Sequence, residues 1–233
     1  MHLRLIAALS LPLVACSGEA DPGRTYDCDA PKRIVVLARD EMRTACFDDA
    51  GMSCPLVGIA LPKGVSTRLM IGVYDDEKRE CDPALMKASV DDETFDLVND
   101  GNDVYVTPLT DVFDVGEFEP STTLTVTYGA LKAQWGLVAM VDLAGKWEIT
   151  VDDLTVGDFD AAQSGRFIRW ADCLPGDGRP ECSSGLVFRK EAELYSPLGN
   201  LTLRGAIAPT RERLDGTWTS GSQHGVWHAV KLP

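Results

Sequence analysis

Apolar and polar residues alternate over long stretches of this chain, and this alternation constrains its fold more than any other feature. Single residues separate Leu69, Ile71 and Val73. Residues 123–128 place threonines on one face and Leu, Val and Tyr on the other, and residues 135–143 repeat the pattern. Successive side chains of a β-strand point to opposite faces of a sheet. The alternation therefore predicts strands that each have one buried face.

Acidic turns separate these strands in the first half of the chain. Residues 75–77 and 99–103 are turn clusters, and their spacing is typical of a β-sandwich. Shorter apolar runs at residues 34–37 and 55–61 predict two more strands. A short helix is predicted only at residues 83–89. The first half of the chain is therefore predicted to be all-β.

The strand pattern continues after residue 143, with more glycine. Leu143-Ala144-Gly145-Lys146-Trp147 and Leu214-Asp215-Gly216-Thr217-Trp218 share the pattern Leu-x-Gly-x-Trp. Gly-x-Trp near the first strand of a barrel resembles lipocalins, but residues 144–233 are too few for eight strands of lipocalin length. We expect a second small β-sandwich or a smaller β-barrel here. Trp147 and Trp218 are either core residues or contacts to a small ligand at the mouth of such a barrel.

The last two strands of the first half, STTLTVTYGALKAQWGLVAMV, resemble the closing hairpin of bacterial immunoglobulin-like domains. The similarity consists of a threonine-rich strand, a turn at Gly129 and a final apolar strand. It implies an immunoglobulin-like antiparallel sandwich over residues 33–143. The Cys…Trp…Cys signature of antibody domains is absent from the sequence.

The first residues have the layout of a secretory signal, with a short basic region followed by an apolar run that ends at Ala15. This run is too short for a membrane-spanning helix, which takes about 20 apolar residues. Leu13-Val14-Ala15-Cys16 meets every position of the lipobox and resembles bacterial lipoprotein precursors. The resemblance implies that residues 1–15 are removed as a signal peptide. It also implies that Cys16 receives a diacylglyceryl group and a further acyl chain such as palmitate.

The residue after the lipobox concerns localisation. In the lipoprotein family, Asp at this position tends to retain the protein in the inner membrane, whereas this chain has Ser17. The resemblance therefore implies an outer-membrane protein of the bacterial cell envelope. Residues 16–32 are polar and contain glycine and proline, which is the composition of a tether.

The chain is strongly acidic, with 36 Asp and Glu against 22 Lys and Arg and a formal net charge of −14 at pH 7. Such a charge argues against a nucleic-acid partner and against a polybasic attachment to anionic lipid. Membrane attachment is therefore expected to come from the N-terminal lipid. The acidic surface either maintains solubility or binds divalent cations.

Six cysteines remain once the lipidated one is set aside, and an even number in an exported protein favours disulfides. The last two flank a loop with two prolines and two glycines, which is expected to bring its ends together. Zinc is the competing interpretation, but the sequence has no Cys-x-x-Cys pair. Six thiols allow fifteen pairings, and only a local one follows from the sequence. The loop favours Cys173–Cys182, and Cys46–Cys54 with Cys28–Cys81 is one choice for the remaining four cysteines.

Side chains that could carry catalysis are few. His224 and His228 fall in a predicted strand, which separates them by about 13 Å, so one metal ion cannot bind both. The Gly-x-Ser-x-Gly motif of a serine hydrolase is absent. Paired carboxylates such as Asp75-Asp76 and Asp152-Asp153 are plentiful, but acidic turns are usually solvated. No catalytic residue is predicted.

The segment DLVNDGND is the best candidate for a Ca²⁺ site, because several oxygen ligands crowd one turn with a glycine. It departs from the EF-hand pattern, with Val98 at a ligand position and Thr107 in place of the final Glu. The alternative is an ordinary hairpin turn. The candidate ligands are Asp96, Asn99, Asp100 and Asp103.

Three functional hypotheses follow from the sequence. The first is a lipid-anchored envelope lipoprotein that acts as a non-catalytic binding or structural module, with an envelope protein or a glycan as its partner. The second is a small-ligand carrier, which requires a hollow barrel at the C-terminal domain. The third is a secreted hydrolase, which requires two carboxyls in one cleft with raised pKa values.

Overall fold

The computed structural model of this chain describes residues 26, 28, 30–38, 58–101, 103–116, 118–170, 183–196 and 200–233. These residues form sixteen β-strands, one short α-helix and one 3-10 helix. Two four-stranded sheets come first along the chain and a closed barrel follows. The predicted all-β class is therefore confirmed, and of the two forms expected for the second part, a small sandwich or a barrel, the structure has the barrel.

The first sheet of the sandwich has the strand order β1-β3-β6-β5 and is antiparallel throughout. Its predicted inward residues Leu69, Ile71 and Val73 are buried. The strands are β1 Arg33–Ala38, β3 Thr67–Tyr74, β5 Phe95–Asp100 and β6 Asp103–Pro108.

The second sheet has the order β2-β8-β7-β4, and its inner face packs on that of the first sheet. Leu124, Val126 and Tyr128 of β7 are buried as the alternation predicts. One pair departs from the predicted antiparallel arrangement, because the edge strand β2 runs parallel to β8. The strands are β2 Ile59–Pro62, β4 Met86–Val90, β7 Ser121–Tyr128 and β8 Leu131–Met140.

The helical prediction at residues 83–89 is wrong for most of its length. Only Pro83–Leu85 form a 3-10 turn, which the Asp82 side chain caps, and β4 begins at Met86. Pairing with β7 and burial of Ala88 favour the extended conformation there. The helix α1, Val112–Val115, lies in the connection between β6 and β7 and was not predicted.

The C-terminal domain is an up-and-down barrel, in which each strand pairs with the next and β16 pairs with β9. Eight strands fit because they are only four to eleven residues long. The strands are β9 Gly145–Val151, β10 Leu154–Ser164, β11 Phe167–Trp170, β12 Ser183–Phe188, β13 Glu191–Ser196, β14 Leu201–Ile207, β15 Arg213–Ser220 and β16 Gln223–Lys231.

The barrel has two ends with different surroundings. The turns at residues 165–166, 189–190 and 208–212 lie at the end that faces the sandwich, which we call the proximal end. The turn Asp152-Asp153 and residues 221–222 lie at the opposite, distal end. Asp152 and Asp153 both have positive φ, as a two-residue hairpin turn of type I′ requires.

Side chains of one apolar cluster occupy the described interior of the barrel, including Trp147, Ile168, Leu214 and Trp227. Glycines make room for the largest of them. A Cβ atom on Gly205 would lie 2.7 Å from the ring of Trp227, and one on the paired Gly216 would collide with the backbone of β14. Gly205 therefore allows the Trp227 ring to lie close to β14, and Gly216 allows β15 to lie close to β14.

Among the residues that the structure describes, no helix has the length and apolar character needed to cross a membrane.

Candidate functional site: the junction between sandwich and barrel

The residues that connect the two domains are part of the barrel core. Met140, Val141 and Leu143 are fully buried, and they belong to the same apolar cluster as Trp147 of β9. The indole N–H of Trp147 donates a hydrogen bond of 2.9 Å to the carbonyl oxygen of Leu143. Residues 141–144 are therefore a packed connection and not a free linker.

The side chain of Gln163, near the end of β10, pairs with the backbone of this connection. Its Oε1 accepts a hydrogen bond of 2.7 Å from the N–H of Leu143. Its Nε2 donates to the carbonyl oxygens of Val141 at 2.9 Å and Gly165 at 3.1 Å. Buried backbone groups without such partners would cost free energy, so Gln163 stabilises this path of the chain.

Acidic residues of the β6–β7 connection pair with basic residues of the proximal barrel turns. The carboxylate of Glu119 accepts hydrogen bonds of 3.0 and 2.8 Å from the two terminal nitrogens of Arg166. It also accepts one of 2.8 Å from the backbone N–H of Arg189. Both side chains of the ion pair are largely shielded from water. This bidentate geometry gives the contact between the β6–β7 connection and the barrel turn a specific orientation.

A second ion pair lies beside the first. Asp111, whose side chain is fully buried, accepts hydrogen bonds of 2.6 and 2.8 Å from Arg211 in the β14–β15 turn. Arg211 also donates to Asp114 at 2.7 Å, and Lys63 donates to the other oxygen of Asp114 at 2.6 Å. Lys63 directly follows β2 of the second sheet, and Asp111 follows β6 of the first sheet. The network therefore joins the ends of both sheets to the barrel.

The helix α1 presents these carboxylates in a fixed position. The Asp111 side chain accepts from the N–H of Phe113, and the Asp114 side chain accepts from the N–H of Asp111. This reciprocal arrangement is a capping box. The ring of Phe113 lies between Lys190 Nζ and Arg211 Cζ, at 5.4 and 5.5 Å from its centroid. Cation–π contacts thus add to the ion pairs.

The electrostatic effects agree with this geometry. The hydrogen bond from Lys63 lowers the pKa of Asp114 to about 2, with burial opposing this effect and Arg211 adding to it. The hydrogen bond with Asp111 raises the pKa of the Arg211 guanidinium, again against the effect of burial. The network therefore favours the charged forms, which suits a structural role better than proton transfer.

Trp147 and Trp218 do not line one barrel mouth, which corrects the arrangement expected for a ligand carrier. Trp147 pairs with Lys231 at the proximal end, whereas Trp218 pairs with Gly225 near the distal end. Lys231 and Gly225 are six residues apart on β16, which corresponds to about 20 Å. Trp147 is fully buried in the core.

Trp218 is only partly buried and is held by the distal turn. Its indole N–H donates a hydrogen bond of 3.1 Å to Asp152, and the same carboxylate accepts one of 3.0 Å from the N–H of Val226. The Asp152 side chain therefore holds the β9–β10 turn against β15 and β16. Its carboxylate is occupied by these two donors.

The candidate calcium segment is a hairpin in the structure. Asp96, Asn99 and Asp100 lie on β5, and Asp103 begins β6. The Asn99 amide donates to the carbonyl oxygen of Ala88, and the Asp103 carboxylate pairs with Arg68. In the described ranges no group of three or more His, Cys, Asp or Glu side chains has a metal-binding arrangement.

The structure also places the histidines and several of the acidic side chains. His224 and His228 lie on β16, as the predicted strand requires. Burial raises the pKa of Asp75, but hydrogen bonds from Arg79 and Glu77 outweigh it and leave the pKa below its usual value. The hydrogen bond from Arg213 likewise lowers the pKa of Asp215. These shifts are opposite in direction to that of a general acid.

One of the three expected disulfides falls within the described residues and is present there, between Cys28 and Cys81. Trp170 and Ser183, which precede and follow the other loop of interest, are paired across β11 and β12. The remaining expected cysteines lie outside the described residues and their roles stay predictions: Cys16, Cys46, Cys54, Cys173 and Cys182.

Sequence reasoning missed the junction. One signal was available, because Asp111 and Asp114 have the spacing of a capping box before a short apolar run. No local pattern connects Asp111 with Arg211 or Glu119 with Arg166, which are 100 and 47 positions apart. Only the packing of the barrel on the sandwich brings them together.

No family model and no curated protein matches this chain. The search of solved structures finds distant likenesses. Domains 5-6 of the S-layer protein SbsC are 11% identical, with 87% of this chain and 85% of that chain covered and a TM-score of 0.33. Human protocadherin-24 EC1-2 is 11% identical, with 75% and 88% covered and a TM-score of 0.24. At these TM-scores the likeness carries no argument about function.

Proposed function

We propose that this chain is a lipid-anchored structural module of the bacterial cell envelope, in which a non-catalytic sandwich and barrel form one rigid body. The observation that carries the structural part is the junction. Asp111 and Glu119 hold arginines of the barrel in geometries that restrict hinge motion between the domains. A rigid body of this kind is suited to spacing or scaffolding, with an envelope protein or a glycan as its partner.

The anchor is proposed from the lipobox, which ends at Cys16. Several acyl chains on one residue give stable membrane attachment, since each buried methylene contributes about 0.8 kcal/mol. The serine at position 17 supports the outer membrane as the destination. A disulfide between Cys173 and Cys182 would close the loop beyond β11, and the pairing of Trp170 with Ser183 supports it by bringing the loop's described ends together.

Two observations weaken the alternatives. The ligand carrier needs a cavity, whereas Trp147, Trp227 and other side chains of one apolar cluster pack together in the described interior of the barrel. The hydrolase needs a carboxyl with a raised pKa, whereas the shifts at Asp75, Asp114 and Asp215 are downward.

The anchor is tested by expressing the chain with its own leader in a bacterium that is fed radiolabelled palmitate. Wild-type protein is expected to incorporate label and to enter the detergent phase of a Triton X-114 extraction. Cys16→Ala is expected to lose both properties. Ser17→Ala is the matched control, because it keeps the lipidated cysteine and should remain labelled. Label or detergent partition that survives Cys16→Ala would refute the anchor.

The structural role is tested separately, in a strain that lacks the protein and has an envelope defect. Anchored wild-type protein should restore the envelope. Anchored Arg211→Ala/Glu119→Ala should not, because the two domains lose their fixed arrangement. The His224→Ala/His228→Ala variant should restore it, since these side chains have no role in a structural module. Loss of function in the histidine variant, with the junction variant active, would favour catalysis instead.

A further inference from the structure

The N-terminal segment enters the folded body at the end of the sandwich that lies away from the barrel. β2 and β8 end next to the junction, at Pro62 and Met140. β3 starts on that side and runs away from the barrel to Tyr74. Arg33, the first residue of β1, pairs with Tyr74. The start of β1 and the barrel are therefore at opposite ends of the sandwich.

The loop after β3 forms a firm attachment point at this far end. Cys81 is 1% exposed, and its N–H donates a hydrogen bond of 2.7 Å to the carbonyl oxygen of Val73. The buried carboxylate of Asp75 accepts from the N–H groups of Glu77 and Arg79, both at 2.9 Å, and from Arg79 Nε at 2.8 Å. The loop that carries Cys81 is thus held along most of its length.

The segment before β1 is joined to this point. Cys28 forms the disulfide with Cys81, and the N–H of Lys32 donates to the carbonyl oxygen of Tyr74 at 2.9 Å. The two cysteines are 53 positions apart and enclose β1, β2 and β3 in one covalent ring. Tension that enters at Cys28 can pass through the two sulfur atoms to Cys81 without crossing those strands.

We infer that the Cys28–Cys81 disulfide, which we call the strap, transfers tension on the N-terminal segment directly to the start of β4 and shields β1, β2 and β3 from it. Without the strap, tension before Arg33 first loads the hydrogen bonds of β1. Among the described strands, β1 lies at the edge of the first sheet and pairs with β3 alone. An edge strand leaves one row of backbone N–H and C=O groups unpaired, so only one ladder of hydrogen bonds resists its removal.

The inference rests on the proposed function for the source of the tension, which is the lipid at Cys16. The shielding itself depends only on the ring that the disulfide closes. It can therefore be measured on the mature chain with a peptide handle in place of the lipid. Failure of the lipid-labelling test would leave this measurement unaffected, and failure here would leave the anchor unaffected.

The experiment stretches the chain between handles at Ser17 and Pro233 in single-molecule force spectroscopy. Complete unfolding of the oxidised chain should release less contour length than that of Cys28→Ser/Cys81→Ser. The enclosed 53 residues correspond to about 190 Å at full extension. If Cys46 and Cys54 are also bonded, the difference falls to about 160 Å. Either value supports the strap.

Two other results would overturn the inference. Equal contour lengths would mean that the disulfide does not carry the load in place of the enclosed residues. A difference of only about 65 Å would mean that Cys28 is bonded to Cys46, 18 positions away, so that β2 and β3 are not enclosed. Circular dichroism of the double variant checks that it is folded before it is stretched.

A second measurement keeps the test independent of that variant. Wild-type chain is held under constant force with dithiothreitol in solution. A thiolate of the reagent attacks one sulfur of the disulfide, a mixed disulfide forms and the other sulfur leaves as a thiolate. A strap under load should then release the enclosed residues in a further step, with a second, smaller step if Cys46 and Cys54 are also bonded. Absence of that step, at forces that unfold β4 to β8, would contradict the inference.

Discussion

Arg211 and Asp111 are 100 positions apart in the chain, yet the guanidinium of one forms two hydrogen bonds, of 2.6 and 2.8 Å, with the carboxylate of the other. Asp111 caps the helix α1 in the sandwich, and Arg211 lies in a turn of the barrel. The carboxylate has no exposed surface. This pair and the pair of Glu119 with Arg166 both connect the β6–β7 segment of the sandwich to turns of the barrel.

Arg211→Ala should lower the free energy of unfolding by about 3 kcal/mol, because it leaves the buried charge of Asp111 without its partner. Arg213→Ala is the matched control. Arg213 is two positions away and pairs with Asp215 on the surface, so its loss should cost less than about 1 kcal/mol. Urea denaturation followed by circular dichroism gives both values. Equal losses in the two variants would show that the junction adds no stability.

Acid should weaken the junction over a defined pH range. The pKa of Asp114 is about 2 in the folded protein and 3.8 in its ordinary state, so the folded state favours the ionised form. The stabilisation is complete above pH 3.8 and disappears as the pH falls towards 2. Wild-type protein should therefore lose more stability than Asp114→Asn between pH 5 and pH 2. Parallel stability curves for the two proteins would disprove the linkage.

The two tryptophans of the Leu-x-Gly-x-Trp segments should differ sharply when they are truncated. Trp147→Ala removes a fully buried ring and should cost about 4 kcal/mol. Trp218→Ala removes a partly exposed ring at the distal end and should cost clearly less. Thermal unfolding measures the difference. Acrylamide should also quench the fluorescence lost in Trp218→Ala more readily than that lost in Trp147→Ala, and the reverse order would contradict the assigned positions.

Close strand packing in the barrel should make Gly216 intolerant of a side chain. Gly216→Ala places a methyl group against the backbone of β14, and overpacking of this kind costs about 2 kcal/mol. Thr217→Ala changes the adjacent, exposed residue and should have little effect. Guanidinium denaturation of both variants provides the comparison. An unchanged denaturation midpoint for Gly216→Ala would mean that β14 and β15 can move apart without a loss of stability.

Much of the fold could be predicted because strand alternation is a local signal. The buried face of β7 follows from the position of Leu124, Val126 and Tyr128 alone, and the same holds for the inward residues of β3. The short helix predicted at residues 83–89 failed because pairing with β7 decided that segment. Local composition carries no information about such a pairing.

The sequence by itself determined the all-β class and the strand that separates His224 from His228, whereas the bond between Cys28 and Cys81 was one choice among several and needed the structure. Only the tertiary structure decided that the second part closes into a barrel, that Trp147 and Trp218 lie at opposite ends, and that Asp111 meets Arg211. The physical reason is the distance along the chain between the residues that interact. Alternation depends on neighbours two positions apart, whereas barrel closure and buried ion pairs depend on which distant turns come into contact.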